Sequence, residues 1–285
     1  MGRPPDDHGG PKGALVRQWI PNRMNADGAT PPDSKTEPEA AEAALLAARK
    51  PYLLWGSLLW LGAALLVWVA AQAAMLFVWM LNGKGGLNPN SVTSDPVAIS
   101  SMILVSTPLA VAVLVLAVRL RRFLLQDYFA LRGFGWKQFA LGFALVLGVL
   151  LAFEGFGALL DRNQPDFMKD MINAVRGGEG AWLLLLAGVI VAPFGEELIF
   201  RGFVYRGLSQ SRVGVIGAIV ISSAIWAAIH TQYDLFYMSV IFTLGLALAF
   251  VRYKSGSTLL AFALHALVNA AAFAQALLPD SVQGL

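Results

Sequence analysis

Seven stretches of mostly apolar residues follow one another along the chain, at 52–82, 97–120, 138–160, 181–208, 213–231, 234–252 and 257–278. A helix rises about 1.5 Å per residue, so about 20 residues cross a hydrocarbon layer of about 30 Å, and these runs are near or above that length. Backbone groups in lipid have to be paired within their own segment, so the runs predict helices rather than strands. The polar segments between them set the limits. Residues 1–36 are broken by Pro4, Pro5, Pro11, Pro21, Pro31 and Pro32 and carry too little apolar surface to order themselves, which predicts a disordered tail. From Glu37 to Lys50 good helix formers carry acids first and Arg49 and Lys50 last, as a helix dipole favours, and a short interfacial helix is expected there. The connector 161–180, with Asp161, Arg162, Asp166, Lys169, Asp170, Arg176 and Glu179, is expected to sit in water. The expected fold class is all-α: a polytopic transmembrane helix bundle of about seven spans with a disordered N-terminal tail. Three regions follow, the tail with its short helix over 1–50, a first group of membrane helices over 51–130, and a second group over 131–279.

Composition supports the membrane reading. Hydrophobic residues make up 57% of the 285 and charged residues 14%, well outside the range of soluble domains. Without cysteine there is no disulfide framework, no thiolate metal site and no cysteine nucleophile. A net charge of +3 gives no reason to expect a nucleic-acid partner. Where the cations fall says more. The N-terminal segment and the second, fourth and sixth connectors hold most of them, Arg119, Arg121, Arg122, Arg132, Lys137, Arg206, Arg212, Arg252 and Lys254 included, against Lys84, Arg162, Lys169 and Arg176 on the other side. The positive-inside bias therefore places the N-terminus in the cytoplasm and the C-terminus across the membrane, and a bacterial plasma membrane is the expected location. No charged-then-apolar export signal is evident, so the chain is taken as mature.

Ionised side chains near the bilayer centre cost about 2.5–3.5 kcal/mol, which makes those inside spans functional candidates. They are Glu154 in the third span, Glu196, Glu197 and Arg201 in the fourth, His230 in the fifth, and His265 with the polar Asn269 in the seventh. Glu197 and Arg201 stand four apart with the acid first, the favourable helical ion-pair order. Glu196 points about 100° away, and its helical neighbours Ala192, Pro193, Ile199 and Phe200 are apolar, so it has to find a partner on another helix or be protonated. Trp226 and His230 share a face, which lets the indole orient the imidazole, and His265 and Asn269 form a second polar stripe. Taken singly, each of these has a bland reading as glue between helices. Together they supply a carboxylate to activate water and imidazole and amide donors for an oxyanion, the ingredients of a hydrolase. Glu196, His230 and His265 would also make a two-histidine, one-carboxylate site for a divalent metal such as zinc. Other designs are missing: His230 is followed by Thr231 and His265 by Ala266, so there is no His-Glu-x-x-His. There is also no Gly-x-Ser-x-Gly elbow, and Asp234 has no second intramembrane aspartate to form a dyad.

The set Glu196-Glu197-x-x-x-Arg201, Trp226-x-x-x-His230 and His265-x-x-x-Asn269 resembles the CPBP family of CAAX-processing and bacteriocin-processing intramembrane proteases, also called the Abi family. The likeness covers roughly residues 180–272, and Leu131-Arg-Gly-Phe-Gly-Trp136 looks like the entry to that family's domain. Trp226 stands where the family commonly has phenylalanine. The resemblance implies an intramembrane endopeptidase acting on a membrane-associated or CAAX-type protein or peptide substrate. In it Glu196 is the base, His230 assists, His265 and Asn269 hold the oxyanion, and Glu197 with Arg201 forms a structural pair. The family is named for metalloproteases, yet a metal-free glutamate mechanism is also argued for it, so zinc stays an open alternative. Eukaryotic members trim prenylated proteins, while many bacterial members have other substrates.

Depth gives a further expectation. Counted at about 1.5 Å per residue from the connectors on one side, Glu196 lies about 20 Å in and His230 about 26 Å, while His265 and Asn269 lie about 12 and 18 Å in. These residues meet only if the fifth helix starts shallower, tilts or runs on past His230. Two other functions compete with the peptidase: a non-catalytic membrane scaffold or immunity protein of the same fold, and a proton-coupled transporter. The absence of an evident repeat or pair of inverted, broken helices weighs against the transporter.

Overall fold

The computed structural model of the protein describes residues 50–82, 95–176 and 179–274. The disordered tail and the interfacial helix expected over residues 1–49, and the last residues of the third region, lie outside the described residues. Each of the seven apolar runs forms a helix. We number the helices α1 (Leu54–Leu81), α2 (Pro96–Leu120), α3 (Leu125–Tyr128), α4 (Trp136–Leu159), α5 (Asp166–Arg176), α6 (Ala181–Ser209), α7 (Gly214–Ala228), α8 (Leu235–Ser255) and α9 (Thr258–Ala274). Five of them, α1, α2, α4, α6 and α8, are long and apolar enough to cross a membrane. The other two spans are shorter, with 15 residues in α7 and 17 in α9. The protein is an all-α polytopic membrane bundle.

Local chemistry fixes where the helices begin and end. At the start of α2 the Asp95 carboxylate accepts from Val97 N at 2.8 Å and Ala98 N at 3.0 Å, and Pro96 occupies the first turn, where its missing N–H costs nothing. Asp234 caps α8 in the same way by accepting from Tyr237 N at 3.0 Å. At the other end of α8 Gly256 takes φ +69°, a left-handed conformation that a side chain would oppose, and its N–H closes on Arg252 O. The chain thereby reverses into α9 within two residues.

The interior gathers on α6. Phe200, Phe203, Val204 and Leu208 are fully buried there and pack with Leu248 of α8, Leu260 and Leu264 of α9 and Leu114 of α2. The outward faces stay apolar, with Trp55, Leu59 and Leu66 on α1, Trp136 and Leu141 on α4 and Ile216 on α7 exposed, as a lipid solvent favours.

The connector 161–180 carries more than charges. Its charges conceal a helical stripe, Phe167, Met168, Met171, Ile172 and Val175, and this folds as the amphipathic α5. Met171, Ile172, Ala174 and Val175 are buried against Leu184, with Ile99 and Phe273 alongside, while Asp166, Lys169 and Arg176 stay outside. The segment is then clipped to the start of α8. Arg162 pairs with Asp234, the Tyr237 hydroxyl donates to Asn163 O at 2.9 Å, and Phe167 meets the Tyr233 ring edge-on at 5.6 Å.

Candidate active site

Helix α6 carries the acids, and it is not a uniform α-helix. Leu186–Val191 and Leu198–Val204 are π-helical, with Ala192 N–H reaching back five residues to Ala187 O and Tyr205 N–H five residues to Phe200 O. Pro193 explains part of this. The next bond in the first π stretch would run from residue 193 to Gly188 O, and proline has no N–H to make it. The amide of Asn269 on α9 takes that place, its Nδ2 donating to Gly188 O at 2.8 Å. Asn269 thus ties α9 to α6 about two turns before the acids.

Glu196 and Glu197 lie between the two π stretches and meet different surroundings. Glu197 has no solvent exposure, and its Oε1 accepts from Arg201 Nη1 at 3.0 Å and from His265 Nδ1 at 3.0 Å. Arg201, equally buried, also donates from Nη2 to Gly245 O at 3.1 Å and holds its guanidinium 4.4 Å from the Trp226 ring centroid. Gly245 is where α8 comes close to α7: a Cβ there would stand 2.9 Å from Ser223 Cβ and 3.0 Å from Trp226 Cε3. A carboxylate only accepts, so His265 carries its proton on Nδ1 toward Glu197 and presents Nε2 away from it.

Glu196 is half-buried, and its Oε2 accepts from the Trp226 indole N–H at 2.7 Å. Trp226 links the whole constellation. Its ring meets His230 edge-on at 5.3 Å and His265 edge-on at 5.2 Å while receiving Arg201 on its face. The end of α7 sets His230. The backbone N–H of His230 turns to Ala227 O at 3.1 Å, so Trp226 O is left for the imidazole, which donates from Nδ1 at 2.7 Å. His230 therefore also presents Nε2 as its free nitrogen. The depth expectation is met in another way: α7 stops at Ala228, and Trp226 rather than His230 makes the direct contact with Glu196.

The structure thus brings Glu196, Glu197, Arg201, His230 and His265 together around one indole, with Asn269 beside them on Gly188. Glu154 stands apart, exposed on α4 near Tyr237. Tyr233 is a residue the sequence reading passed over. It stacks on His230 at 6.4 Å, and burial together with the Glu196 charge pushes its hydroxyl up to about 12. Its signal was its place three residues after His230, where a tight turn folds it back: Tyr233 N–H bonds His230 O at 3.1 Å.

Among the described residues no group of three His, Cys, Asp or Glu side chains stands where it could hold a metal ion. In the candidate set Glu196, His230 and His265, one Glu196 oxygen accepts from the indole, and each imidazole is anchored through Nδ1 with Nε2 left over, an orientation that a ligating histidine also takes. As placed, the three do not converge on one point as a zinc site requires, and no chemical step is routed through one.

The family model of the type II CAAX prenyl endopeptidases, described as Rce1-like, matches residues 178–271. This agrees with the CAAX-protease resemblance carried by the motifs and covers α6 to α9 up to Ala271. No curated protein and no solved structure matches the chain.

Proposed function

We propose that the chain is an intramembrane endopeptidase that hydrolyses a peptide bond of a membrane-associated or CAAX-type protein substrate, with Glu196 as the base. The observation that carries this reading is the contrast within the acid pair. Glu197 is sealed from solvent, with Arg201 and His265 on its Oε1 and Oε2 buried without a partner, whereas Glu196 is half-buried, held at Oε2 by the indole, and has Oε1 for chemistry. In this mechanism Glu196 takes a proton from water while His230 Nε2 orients that water, and the water oxygen adds to the scissile carbonyl carbon. The carbonyl becomes an oxyanion, stabilised by the remaining Asn269 amide proton and by His265 when Nε2 also carries a proton. Collapse breaks the C–N bond, and the proton held by Glu196 passes to the leaving amine, which returns the carboxylate.

The basic ends of α2, α6 and α8 support a cytoplasmic placement of that face of the bundle, with the N-terminus on the same side. Partners in this reading are membrane lipid and the membrane-associated protein or peptide substrate.

The test is cleavage by the purified, detergent-solubilised chain of a library mixing membrane-anchored and CAAX-type peptides. The wild type is expected to cut at least one member, with or without chelator, and Glu196→Gln to lower the rate by about 10²–10⁴-fold with an unchanged melting temperature. Equal product from both forms overturns the assignment of Glu196, and chelator-sensitive cleavage overturns the metal-free mechanism.

A further inference from the structure

At the end of the bundle where α6 and α8 finish and α9 begins, Arg252, Arg206 and Arg132 lie within electrostatic reach of one another. Arg252, in the last turn of α8, lies 5.4 Å from the centroid of the Tyr205 ring and donates from Nε to Thr258 Oγ1 at 3.0 Å. It is only 9% exposed, and among the described residues its two terminal nitrogens have no acceptor. Arg206 and Arg132 stand within electrostatic reach of it, and no carboxylate of the described residues is among the groups that act on it. Arg206 is held by the backbone carbonyls of Asp127 and Tyr128, whose partial charges leave its full charge standing, and its Nε is buried without a partner. Asp127 is the one carboxylate within reach of Arg206.

The framework around this cluster is fixed. Thr258 N bonds Ala130 O at 3.0 Å, Thr258 Oγ1 bonds Phe129 O at 2.6 Å, and Ser257 Oγ bonds Arg132 O at 2.5 Å, so the loop before α4 is fastened to the start of α9. The positive end of α9 adds to the same field.

Two like charges act on the buried Arg252 and no carboxylate of the described residues does, and an anion beside it reverses the sign of that energy. Guanidinium forks match the planar geometry of phosphate oxygens, and the last turns of membrane helices lie at the depth of lipid headgroups. We propose that Arg252, with Arg206 and Arg132 supplying the surrounding field, forms a binding site for a phosphate anion at this end of the bundle. A phospholipid headgroup and free phosphate share this chemistry.

The experiment is native mass spectrometry of the full chain in detergent, with phosphatidylglycerol, phosphatidylcholine or inorganic phosphate added to wild type, Arg252→Gln and Arg132→Gln. Wild type is expected to retain phosphatidylglycerol about tenfold better than phosphatidylcholine, and Arg252→Gln to lose that preference. The exposed Arg132→Gln is expected to reduce it about threefold and to flatten its salt dependence. Displacement of the lipid by millimolar inorganic phosphate identifies free phosphate as an occupant, whereas resistance to it assigns the headgroup; both support an anion site. Equal retention of the two lipids by wild type overturns the proposal, as does a preference unchanged in the variants that fold. Should Arg252→Gln not fold, the Arg132→Gln comparison decides it.

Discussion

Two neighbouring acids on one helix have been given opposite surroundings. Around Glu197 the protein is closed: a guanidinium, an imidazole and the α8 backbone leave no access to water. Around Glu196 it is open on one side, with a single indole donor and a histidine one turn beyond it. A closed pair is a matter of folding and an open one a matter of chemistry, and the two halves should fail differently when broken.

The largest effect is expected on the closed side. Arg201→Ala leaves Glu197 charged and buried beside a lone histidine, at a cost of about 3–5 kcal/mol, read as a collapse of thermal stability in detergent. A variant that melts like wild type would show that Glu197 is not held as an ion. On the open side, Trp226→Phe keeps an aromatic ring but removes the donor to Glu196. A charge-assisted bond of this kind is worth about 1.5–3 kcal/mol, so kcat/KM should drop about tenfold or more. Unchanged kinetics would mean that the indole only fills space.

The link between the halves can be tested next. Asn269→Ala strips Gly188 O of its donor at about 1–3 kcal/mol, and Pro193→Ala returns a backbone N–H to the same carbonyl. The double variant should recover part of the loss, and simple additivity of the two changes would sever Asn269 from the π stretch. The smallest effect concerns the clip beneath the open side. The Tyr237 N–H, and then Arg162, hold the Asp234 carboxyl below its ordinary range. A depressed value stabilises the fold above the unfolded carboxylate range, and that contribution is lost as pH falls through the folded value. Asp234→Asn should therefore lose less melting temperature than wild type on acidification from pH 7 to 3; identical slopes would remove the clip from the account.

Much of this architecture was legible in the chain. The apolar runs gave the helices because lipid permits little else, and Glu197 with Arg201 followed from a spacing of four on one helix. The pairing of Trp226 with His230 was legible for the same local reason. What escaped depends on long-range placement. His265 faces Glu197 rather than Glu196 because α9 crosses α6 at a level that the depth count could not fix. Asn269 meets a backbone carbonyl because Pro193 falls in a π register, which side-chain periodicity does not encode. The amphipathic α5 was hidden by reading its charges without the stripe between them.

The brevity of α7 has a consequence for the bilayer itself. At about 1.5 Å per residue it is about 22 Å long, and it flanks the acid pair, while the hydrocarbon layer around it is about 30 Å thick. Local thinning of the lipid beside the short helix is one way such hydrophobic mismatch is relieved. The aqueous boundary then dips toward Glu196 from the side where α7 ends. A boundary so displaced shortens the path of water, the co-substrate of any hydrolysis there, to the carboxylate.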